Sequence, residues 1–205
     1  MATEPDPLAN FEVDQVERYA RAKCAVFRKT AETWGEFSNM VGGFPVIVNE
    51  VSILTSEALY QACRFPHLPD VQREIIAQAS PMAAKMKGKP HRKDSRPDFD
   101  ALRVPIMWWA LRVKLACNVN AFSRVLLASG EQAIVEDSHK DTFWGAKELK
   151  DDANTLEGRN VLGRLLVLLR EHVRTSDPQA LKVVETPDIA DFHLYGQPVG
   201  RVERK

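Results

Sequence analysis

The sequence has few cysteines and lacks the motifs that build a disulfide framework or a redox centre. Its 205 residues include three cysteines, Cys24, Cys63 and Cys117, which lie far apart and form no C-x-x-C pair. This spacing excludes a dense disulfide framework and a zinc or redox site of the C-x-x-C type. We interpret the three thiols as small apolar side chains in a reducing compartment.

Long apolar runs and phosphate-binding glycine motifs are also missing. No run approaches the roughly 20 apolar residues that a membrane-spanning helix needs, and the acidic first 15 residues lack a signal-peptide pattern. The chain has no G-x-x-x-x-G-K-[ST] loop, no G-x-G-x-x-G turn and no G-x-S-x-G elbow. Its five histidines form no H-x-x-x-H pair. We therefore expect a cytoplasmic protein that needs no membrane, no metal and no cofactor.

The formal net charge is zero, yet the charge is distributed unevenly along the chain. Residues 64–124 carry 12 Lys+Arg against 5 Asp+Glu, whereas the segments on either side are acidic. A basic segment on a neutral protein can face the phosphates of DNA, RNA or a nucleotide. It can equally be a solvated surface paired with acidic neighbours, and charge alone does not decide between the two.

Length and hydrophobic patterning predict a mainly helical, single α+β domain with a few short strands. A chain of 205 residues, 44% of them hydrophobic, can bury a core without disulfides. Apolar spacing predicts helices within residues 11–22, 56–63, 70–78, 102–117, 120–129 and 158–173. Short apolar runs predict strands at 25–27 and 132–136 and a hairpin at 45–54, whereas 30–43, 80–100 and 141–158 are expected to be irregular.

Three further expectations concern domain limits and the long helix at 102–117. We divide the chain into an N-terminal tail and helix (1–23), a catalytic domain (24–174) and a C-terminal extension (175–205). Pro105 is expected in the first helical turn, where a missing N–H costs little. Trp108 is expected beside the apolar face of that helix, where its ring is free to stack.

Polar residues beside aromatic ones mark a candidate site, although each also has a structural explanation. An acid at a helix start is stabilised by the helix dipole, a Ser-Asn pair forms turns, and tryptophan is usually buried. The basic residues can be surface charge. The candidates are Phe37, Ser38, Asn39, Glu57, Tyr60, Gln61, Asp141, Trp144, Gly145 and Asn160.

Seven sequence blocks follow one another in an order that is typical of a known family. They are WGEFSNM at 34–40, TSEALYQACRF at 55–65, SPMAAKMKG at 80–88, IMWWALRVKLA at 106–116, LLASG at 126–130, IVEDSHKDTFWG at 134–145 and GRNVLGRLLVLLRE at 158–171. From about Cys24 to His172 the chain thus resembles the NADAR family, the YbiA-like N-glycosidases. The resemblance implies a NADAR/YbiA-like α+β fold.

The resemblance also implies an enzyme that cleaves N-glycosidic bonds to ribose. One family branch acts on phosphorylated ribosylamino intermediates of riboflavin synthesis. Another removes ADP-ribose from guanine bases of nucleic acid and so reverses an ADP-ribosyltransferase toxin. The first branch usually has T-x-E-H-Y-x-Q-A-x-K-F, whereas this chain has Ala58 and Arg64 at the histidine and lysine positions, and Lys29 where a small residue is usual. These departures favour the second, antitoxin branch.

Within that branch, we expect Glu57 and Lys29 to be the catalytic residues. Cleavage of the ribose C1″–N bond passes through an oxocarbenium-like transition state, which a nearby carboxylate such as Glu57 stabilises. Lys29 could carry the ribose as a Schiff base, provided that burial or neighbouring cations make its amine nucleophilic.

The remaining candidates are expected to bind the substrate. Arg64, Lys85 and Lys87 would hold the diphosphate of ADP-ribose, and Trp144 and Trp108 would stack on a base. The ribose pocket would be lined by Phe37, Ser38, Asn39, Asp141 and Asn160, with Tyr60, Gln61 and Gly145 beside them.

Three functions stay open at this point. The first is removal of ADP-ribose from guanine in nucleic acid, with ADP-ribose as the product and a toxin as functional counterpart. The second is a small-molecule N-glycosidase that acts on ribosylamino-pyrimidine phosphates. The third is a module that binds ADP-ribose without catalysis. Salt dependence separates a polymer from a small ligand, because binding to many phosphates weakens steeply with salt.

Overall fold

A computed structural model describes residues 7–204 as an α+β domain. Its described part contains six α-helices, of which the first five follow one another without a strand between them. They are α1 (Ser56–Cys63), α2 (Pro69–Ile76), α3 (Pro81–Gly88), α4 (Phe99–Cys117), α5 (Val119–Ala128) and α6 (Val161–Thr175). None of the helices within 7–204 is long and apolar enough to cross a membrane.

The strands form small sheets around the helices rather than one large sheet. A three-stranded sheet has the order β1-β7-β6, β2 pairs with β5, and three further two-stranded pairs are β3-β4, β9-β10 and β8-β11. The bounds are β1 (Glu17–Ala20), β2 (Cys24–Phe27), β3 (Val46–Val48), β4 (Val51–Ile53), β5 (Ala133–Glu136), β6 (Lys147–Leu149), β7 (Asp152–Gly158), β8 (Val183–Val184), β9 (His193–Leu194), β10 (Gln197–Pro198) and β11 (Val202–Glu203).

Helix α4 is the centre of the core, with α1, α5, α6, β3 and β8 packed around it. Its residues 106–111 are buried without interruption, as expected for a helix that is covered on all sides. Trp108 therefore lies in the core with 6% exposure, and the expectation of a free stacking ring is wrong. Pro105 lies inside the helix, not in its first turn, because α4 already begins at Phe99.

The parallel pairing of β2 and β5 fixes the position of the residues at the ends of these two strands, which matter for the site. Phe27 is aligned with Glu136, and beyond the strands the Asp137 N–H donates to the Phe27 carbonyl at 2.8 Å. Helix α6 packs along β5. Because the two strands are parallel, both end at the same edge of the pair. The residues that follow β5 continue from that edge.

Several short elements agree with the sequence predictions. The strand at 25–27, the hairpin at 45–54, the strand at 132–136 and the helices at 56–63, 70–78, 120–129 and 158–173 are confirmed, with shifts of a few residues at their ends. Gly130 has a φ of 56° just after α5, so it adopts the left-handed conformation that ends helices.

The predicted helix at 11–22 is wrong, because this segment contains strand β1. Tyr19 alone in that strand is buried, and its register with Leu156 joins β1 to β7. Such a short apolar spacing fits a helix or a strand until its partner is known. The predicted loops at 80–100 and 141–158 are likewise wrong in part, since they contain α3, β6 and β7.

The C-terminal residues 175–204 lie against the main core. Val202 pairs with Val184 across β11 and β8, and both strands contact α4. The side chains of Phe192, Leu194 and Val199 are buried in the same cluster as the helices. This segment therefore contributes apolar surface to the core of the domain.

Candidate active site

A cavity of about 300 Å³ opens between α1, α3, the end of β5 and the start of α6. Three acids and three cations line it together with neutral and aromatic side chains. The acids are Glu57, Glu136 and Asp141, and the cations are Arg64, Lys85 and Arg92. A concave site with a few convergent ionisable groups is the usual form of a small-molecule site.

Glu57 occupies the first turn of α1 because Thr55 caps that helix. The Thr55 hydroxyl accepts the Ala58 N–H at 3.3 Å, so Glu57 is the second residue of the helix and is stabilised by the helix dipole. Its side chain is 7% exposed. The Gln61 amide donates to Glu57 Oε1 at 3.0 Å, and Lys85 Nζ lies 3.8 Å from the same oxygen. Both partners stabilise a negative charge on this carboxylate.

The loop with Ser38 and Asn39 forms the wall next to Glu57. The Asn39 carbonyl accepts the Glu57 N–H at 3.1 Å, while the Ser56 hydroxyl donates to Asn39 Oδ1 at 2.9 Å. The Asn39 amide in turn donates to the Met107 sulfur at 3.0 Å. Loop, helix α1 and helix α4 are thereby fixed to one another around the cavity.

A buried lysine supports this loop from behind. Lys114 is 1% exposed, and its Nζ donates to the carbonyls of Glu36 at 2.7 Å and of Ser38 at 3.1 Å. It also lies 4.2 Å from the centre of the Phe122 ring. Burial lowers the pKa of Lys114 to about 7. This side chain positions the Ser38 backbone and does not line the cavity.

The cationic side of the cavity is formed by Arg64, Lys85 and Arg92. The Arg64 guanidinium lies 4.1 Å from the centre of the Phe99 ring, and burial lowers the pKa of Arg64. Among the described residues, Arg64 Nε has no hydrogen-bond partner. Lys85 lies on α3 and Arg92 on the 3-10 turn Lys89–Asp94. The three cations therefore come from neighbouring segments and face one space.

Two aromatic rings, Tyr60 and Trp144, form a further wall. Their centroids are 5.7 Å apart in an edge-to-face arrangement, and burial raises the pKa of Tyr60. Asp141 Oδ1 accepts the N–H groups of Phe143 and Trp144, each at 3.0 Å. The Trp144 carbonyl accepts the Leu162 N–H at 3.0 Å. The indole is thus held by a loop that caps the start of α6.

The structure brings nine of the fifteen predicted site residues to this cavity and leaves six outside it. Those that line it are Ser38, Asn39, Glu57, Tyr60, Gln61, Arg64, Lys85, Asp141 and Trp144. Those that do not are Lys29, Phe37, Lys87, Trp108, Gly145 and Asn160. The two groups differ in what surrounds them.

Lys29 points away from the cavity. Its side chain is 69% exposed, and its Nζ lies 3.1 Å from the Glu32 carboxylate. Lys29 follows the end of β2, and its amine is exposed to solvent. The burial that a nucleophilic lysine requires is absent here.

Phe37, Trp108 and Lys87 have other roles. Phe37 is fully buried and packs with its ring centroid 5.6 Å from that of Trp34. Trp108 belongs to the core, as described above. Lys87 Nζ is 3.4 Å from Glu74 on the outer surface, because residues two apart on a helix face different sides.

Gly145 and Asn160 support the cavity wall instead of forming it. A Cβ at Gly145 would lie 2.6 Å from the Glu136 carbonyl, so only glycine permits this approach. The Asn160 amide donates to the Ile134 carbonyl at 2.8 Å, and its Oδ1 accepts the Glu136 N–H at 3.1 Å. Both residues fix the end of β5.

Sequence reasoning missed Glu136 and Arg92, which both line the cavity. Glu136 ends β5 directly after the buried pair Ile134 and Val135. An acid that closes an apolar strand, a few residues before Asp141 and Trp144, was the available indication. Burial, next to Asp141 and Glu57, raises the pKa of Glu136 to about 7. Over the described residues, no group of three or more His, Cys, Asp or Glu is arranged to hold a metal ion.

Comparison with known proteins matches most of the chain to one family. The model of the NADAR domain matches residues 26–174. N-glycosidase YbiA from Escherichia coli is 32% identical over 148 residues, which cover 72% of this chain and 86% of that protein. Its NMR structure superposes with a TM-score of 0.60 at 27% identity, over 80% of this chain and 94% of that one.

A second relative is a longer protein. The riboflavin biosynthesis protein VVA0006 from Vibrio vulnificus is 32% identical over 147 residues, which cover 69% of this chain but 38% of that protein. The relatives that carry the name N-glycosidase, together with the match to the NADAR model, support a glycosidase enzyme.

Proposed function

Because the chain belongs to the NADAR family, we propose that it is an N-glycosidase that removes ADP-ribose from guanine bases of nucleic acid. In this role it acts as an antitoxin that reverses an ADP-ribosyltransferase toxin. One observation carries the proposal: three acids and three cations line one cavity. Such a cavity suits a substrate that develops positive charge at one atom and carries phosphates nearby.

The acids that line the cavity suit cleavage of the bond between ribose C1″ and nitrogen. As that bond breaks, positive charge develops on C1″ and the ring oxygen. Glu57, buried and held by Gln61, is a fixed negative group that can stabilise this charge without reorganising. Water attack on C1″ then gives the free sugar and the unmodified base.

The cations that line the cavity suit the diphosphate of ADP-ribose. Arg64, with an unpaired and buried Nε, offers a donor that a phosphate oxygen could satisfy. Lys85 and Arg92 add positive charge at the same cavity. The Lys85–Glu57 separation of 3.8 Å is long for an ion pair, so Lys85 can also contact a phosphate.

The size of the cavity fits a substrate that is only partly enclosed. About 300 Å³ is at the lower limit of the roughly 300–1,000 Å³ that ligand sites offer. The cavity thus accommodates the ribose and a phosphate, and leaves the base at the Trp144 wall, where it remains part of a polymer.

The sequence around Glu57 favours this substrate over a riboflavin intermediate. Ala58 stands where the riboflavin branch usually has histidine, and it is 2% exposed, so it offers no polar group to a pyrimidine. Arg64 replaces a lysine and can bind phosphate oxygens in pairs, which a lysine cannot.

The direct test is release of ADP-ribose from a single-stranded oligonucleotide that carries one ADP-ribosylated guanine. Mass spectrometry should show the unmodified oligonucleotide and free ADP-ribose. Glu57→Gln should slow release by roughly 10²–10³-fold, as loss of one charge-stabilising group does. Glu74→Gln, on the outer surface, is the matched control and should keep full activity. No release by the wild-type protein would refute the proposal.

A ribosylamino-pyrimidine phosphate is the second candidate, because a relative carries the name of a riboflavin biosynthesis protein. The chemistry at C1″ is the same. The two substrates are separated by offering both and by varying the salt concentration. Binding of the oligonucleotide should weaken steeply between 50 and 200 mM salt, by the order of tenfold or more. A small phosphate should respond far less.

A further inference from the structure

We propose that Glu136 is the general acid that protonates the departing base nitrogen, and that its carboxylate then takes up the proton released when water attacks C1″. This inference rests on the N-glycosidase chemistry of the proposed function, but not on guanine as the base. Neither the sequence motifs nor the comparisons assign a role to this residue.

Glu136 is held in a fixed position at the cavity. It ends β5, in register with Phe27, and lines the same space as Glu57 and Asp141. Its N–H is bound by Asn160 Oδ1 at 3.1 Å, and its carbonyl accepts the Ala146 N–H at 2.8 Å. Two backbone contacts therefore fix the direction in which the carboxyl group leaves the strand.

The carboxyl group of Glu136 has no partner among residues 7–204. Among residues 7–204, the Glu136 side chain has neither a hydrogen bond nor an ion pair, although the residue is half-buried. A half-buried acid without a partner is poorly solvated when ionised. A substrate atom in the cavity is therefore the available partner for its proton.

The charges around the Glu136 carboxyl group also affect its protonation. Glu57 on α1 and Asp141 in the loop after β5 both disfavour ionisation of Glu136, while Lys85 on α3 opposes them. Burial is the largest cause, and together these raise the pKa of Glu136 to about 7. A general acid works best when its pKa is near the working pH, because it is then protonated and still donates readily.

Glu57 and Glu136 thus differ in what their surroundings favour. Glu57 accepts a hydrogen bond from the Gln61 amide and lies 3.8 Å from Lys85 Nζ, whereas the Glu136 carboxyl group has no hydrogen-bond partner among residues 7–204. Two carboxyl groups in different surroundings are the usual basis for dividing work between an acid and a charge stabiliser.

The reaction needs the substrate, Glu136 and one water molecule, and no other reagent. The Glu136 carboxyl proton passes to the base nitrogen while the C1″–N bonding pair leaves with the base. The resulting Glu136 carboxylate takes one proton from water, whose oxygen forms the new bond to C1″. The products are the base with its N–H, the free sugar hydroxyl and Glu136 in its starting protonated form.

The experiment compares two leaving groups. One substrate is the nitrogen-linked one that the wild-type protein cleaves; the other is 4-nitrophenyl ribofuranoside 5-phosphate, whose leaving group needs no proton. Glu136→Gln should lower the rate on the nitrogen-linked substrate by roughly 10²–10⁴-fold and on the nitrophenyl substrate by less than about tenfold. Glu57→Gln should impair both, and Glu74→Gln neither.

The pH dependence supplies a second measurement that a merely structural role would not change. Wild-type activity on the nitrogen-linked substrate should fall above about pH 7, and the fall should be absent with the nitrophenyl substrate. Equal losses on both substrates in Glu136→Gln, or the same pH profile for both substrates in the wild type, would overturn the inference.

A third measurement does not depend on turnover. Carbon-13 NMR of the side-chain carboxyl groups, assigned with Glu136→Gln, should show Glu136 titrating near pH 7. Titration below pH 5 would overturn the assignment of the acid. This result stands even if guanine-linked ADP-ribose is not cleaved, so failure of the proposed function and failure of this inference are distinguishable.

Discussion

Replacing Asn160 should destabilise the protein strongly, because its side chain ties α6 to β5. The residue is 0% exposed, and it makes two buried hydrogen bonds, to the Ile134 carbonyl at 2.8 Å and from the Glu136 N–H at 3.1 Å. It also has a φ of 45°, a left-handed conformation that asparagine tolerates better than alanine. Asn160→Ala removes both bonds and adds backbone strain.

The magnitude follows from these two contributions. Two backbone groups left unpaired cost about 1–2 kcal/mol each, and alanine in the left-handed conformation adds about 1 kcal/mol. We therefore expect Asn160→Ala to lower the free energy of unfolding by about 3–5 kcal/mol. Asn160→Gly loses the same bonds without that strain, so it should be about 1 kcal/mol more stable than the alanine variant.

Urea unfolding followed by tryptophan fluorescence measures both variants against the wild type. Glycosidase activity, corrected for the folded fraction, should also fall in both, because the Glu136 backbone loses its anchor. The reasoning fails if Asn160→Ala costs less than about 1 kcal/mol, or if the glycine variant is the less stable of the two.

Three further changes test other contacts. Lys29→Ala should keep near-full activity, and borohydride added during turnover should trap no protein–ribose adduct, since the amine is bound to Glu32 in solvent; a trapped adduct lost in this variant would restore the covalent mechanism. Gly145→Ala should destabilise by about 1–3 kcal/mol in urea unfolding, because its Cβ would meet the Glu136 carbonyl; unchanged stability would contradict that contact. Burial lowers the pKa of Lys114 to about 7, so the unfolded chain binds the extra proton up to about pH 10; the free energy of unfolding should rise with pH in this window. Lys114→Met should remove this rise, and an identical pH dependence in both proteins would contradict it.

The elements that the sequence predicted correctly are those with a local hydrophobic pattern. Helix α1 has a capping Thr55 and α5 an apolar stripe, while β2 and β5 are short apolar runs with little alternative. By contrast, β6 is largely exposed, and β1 has a single buried residue. Their identity as strands depends on pairing with β7, and pairing between distant segments is not visible in a local pattern. Helix α3 was missed for a similar reason, since only two of its residues are buried.

The candidate site divides along the same line. Glu57, Tyr60 and Gln61 lie on one short helix, so a local motif is enough to place them together. Glu136 reaches Glu57 only because β5 pairs with β2 and α6 packs along β5. Conversely, Lys29 does not line the cavity; it lies in the turn after β2, where the Glu32 N–H bonds to the Lys29 carbonyl at 3.1 Å. Motifs therefore indicate which chemistry is present, whereas side-chain direction decides which groups carry it.

In the proposed function, the acids of the cavity would face C1″ of the substrate, and Arg64, Lys85 and Arg92, which line the same cavity, would face its phosphates. A ribosyl substrate without phosphate would lose the second set of contacts, whether its base is guanine or a pyrimidine. In this proposal the phosphate contacts align the sugar of either substrate, and Arg64 favours the diphosphate. The side chains that would meet the base add to that choice, and Trp144, held by Asp141 and by the start of α6, is the candidate among them.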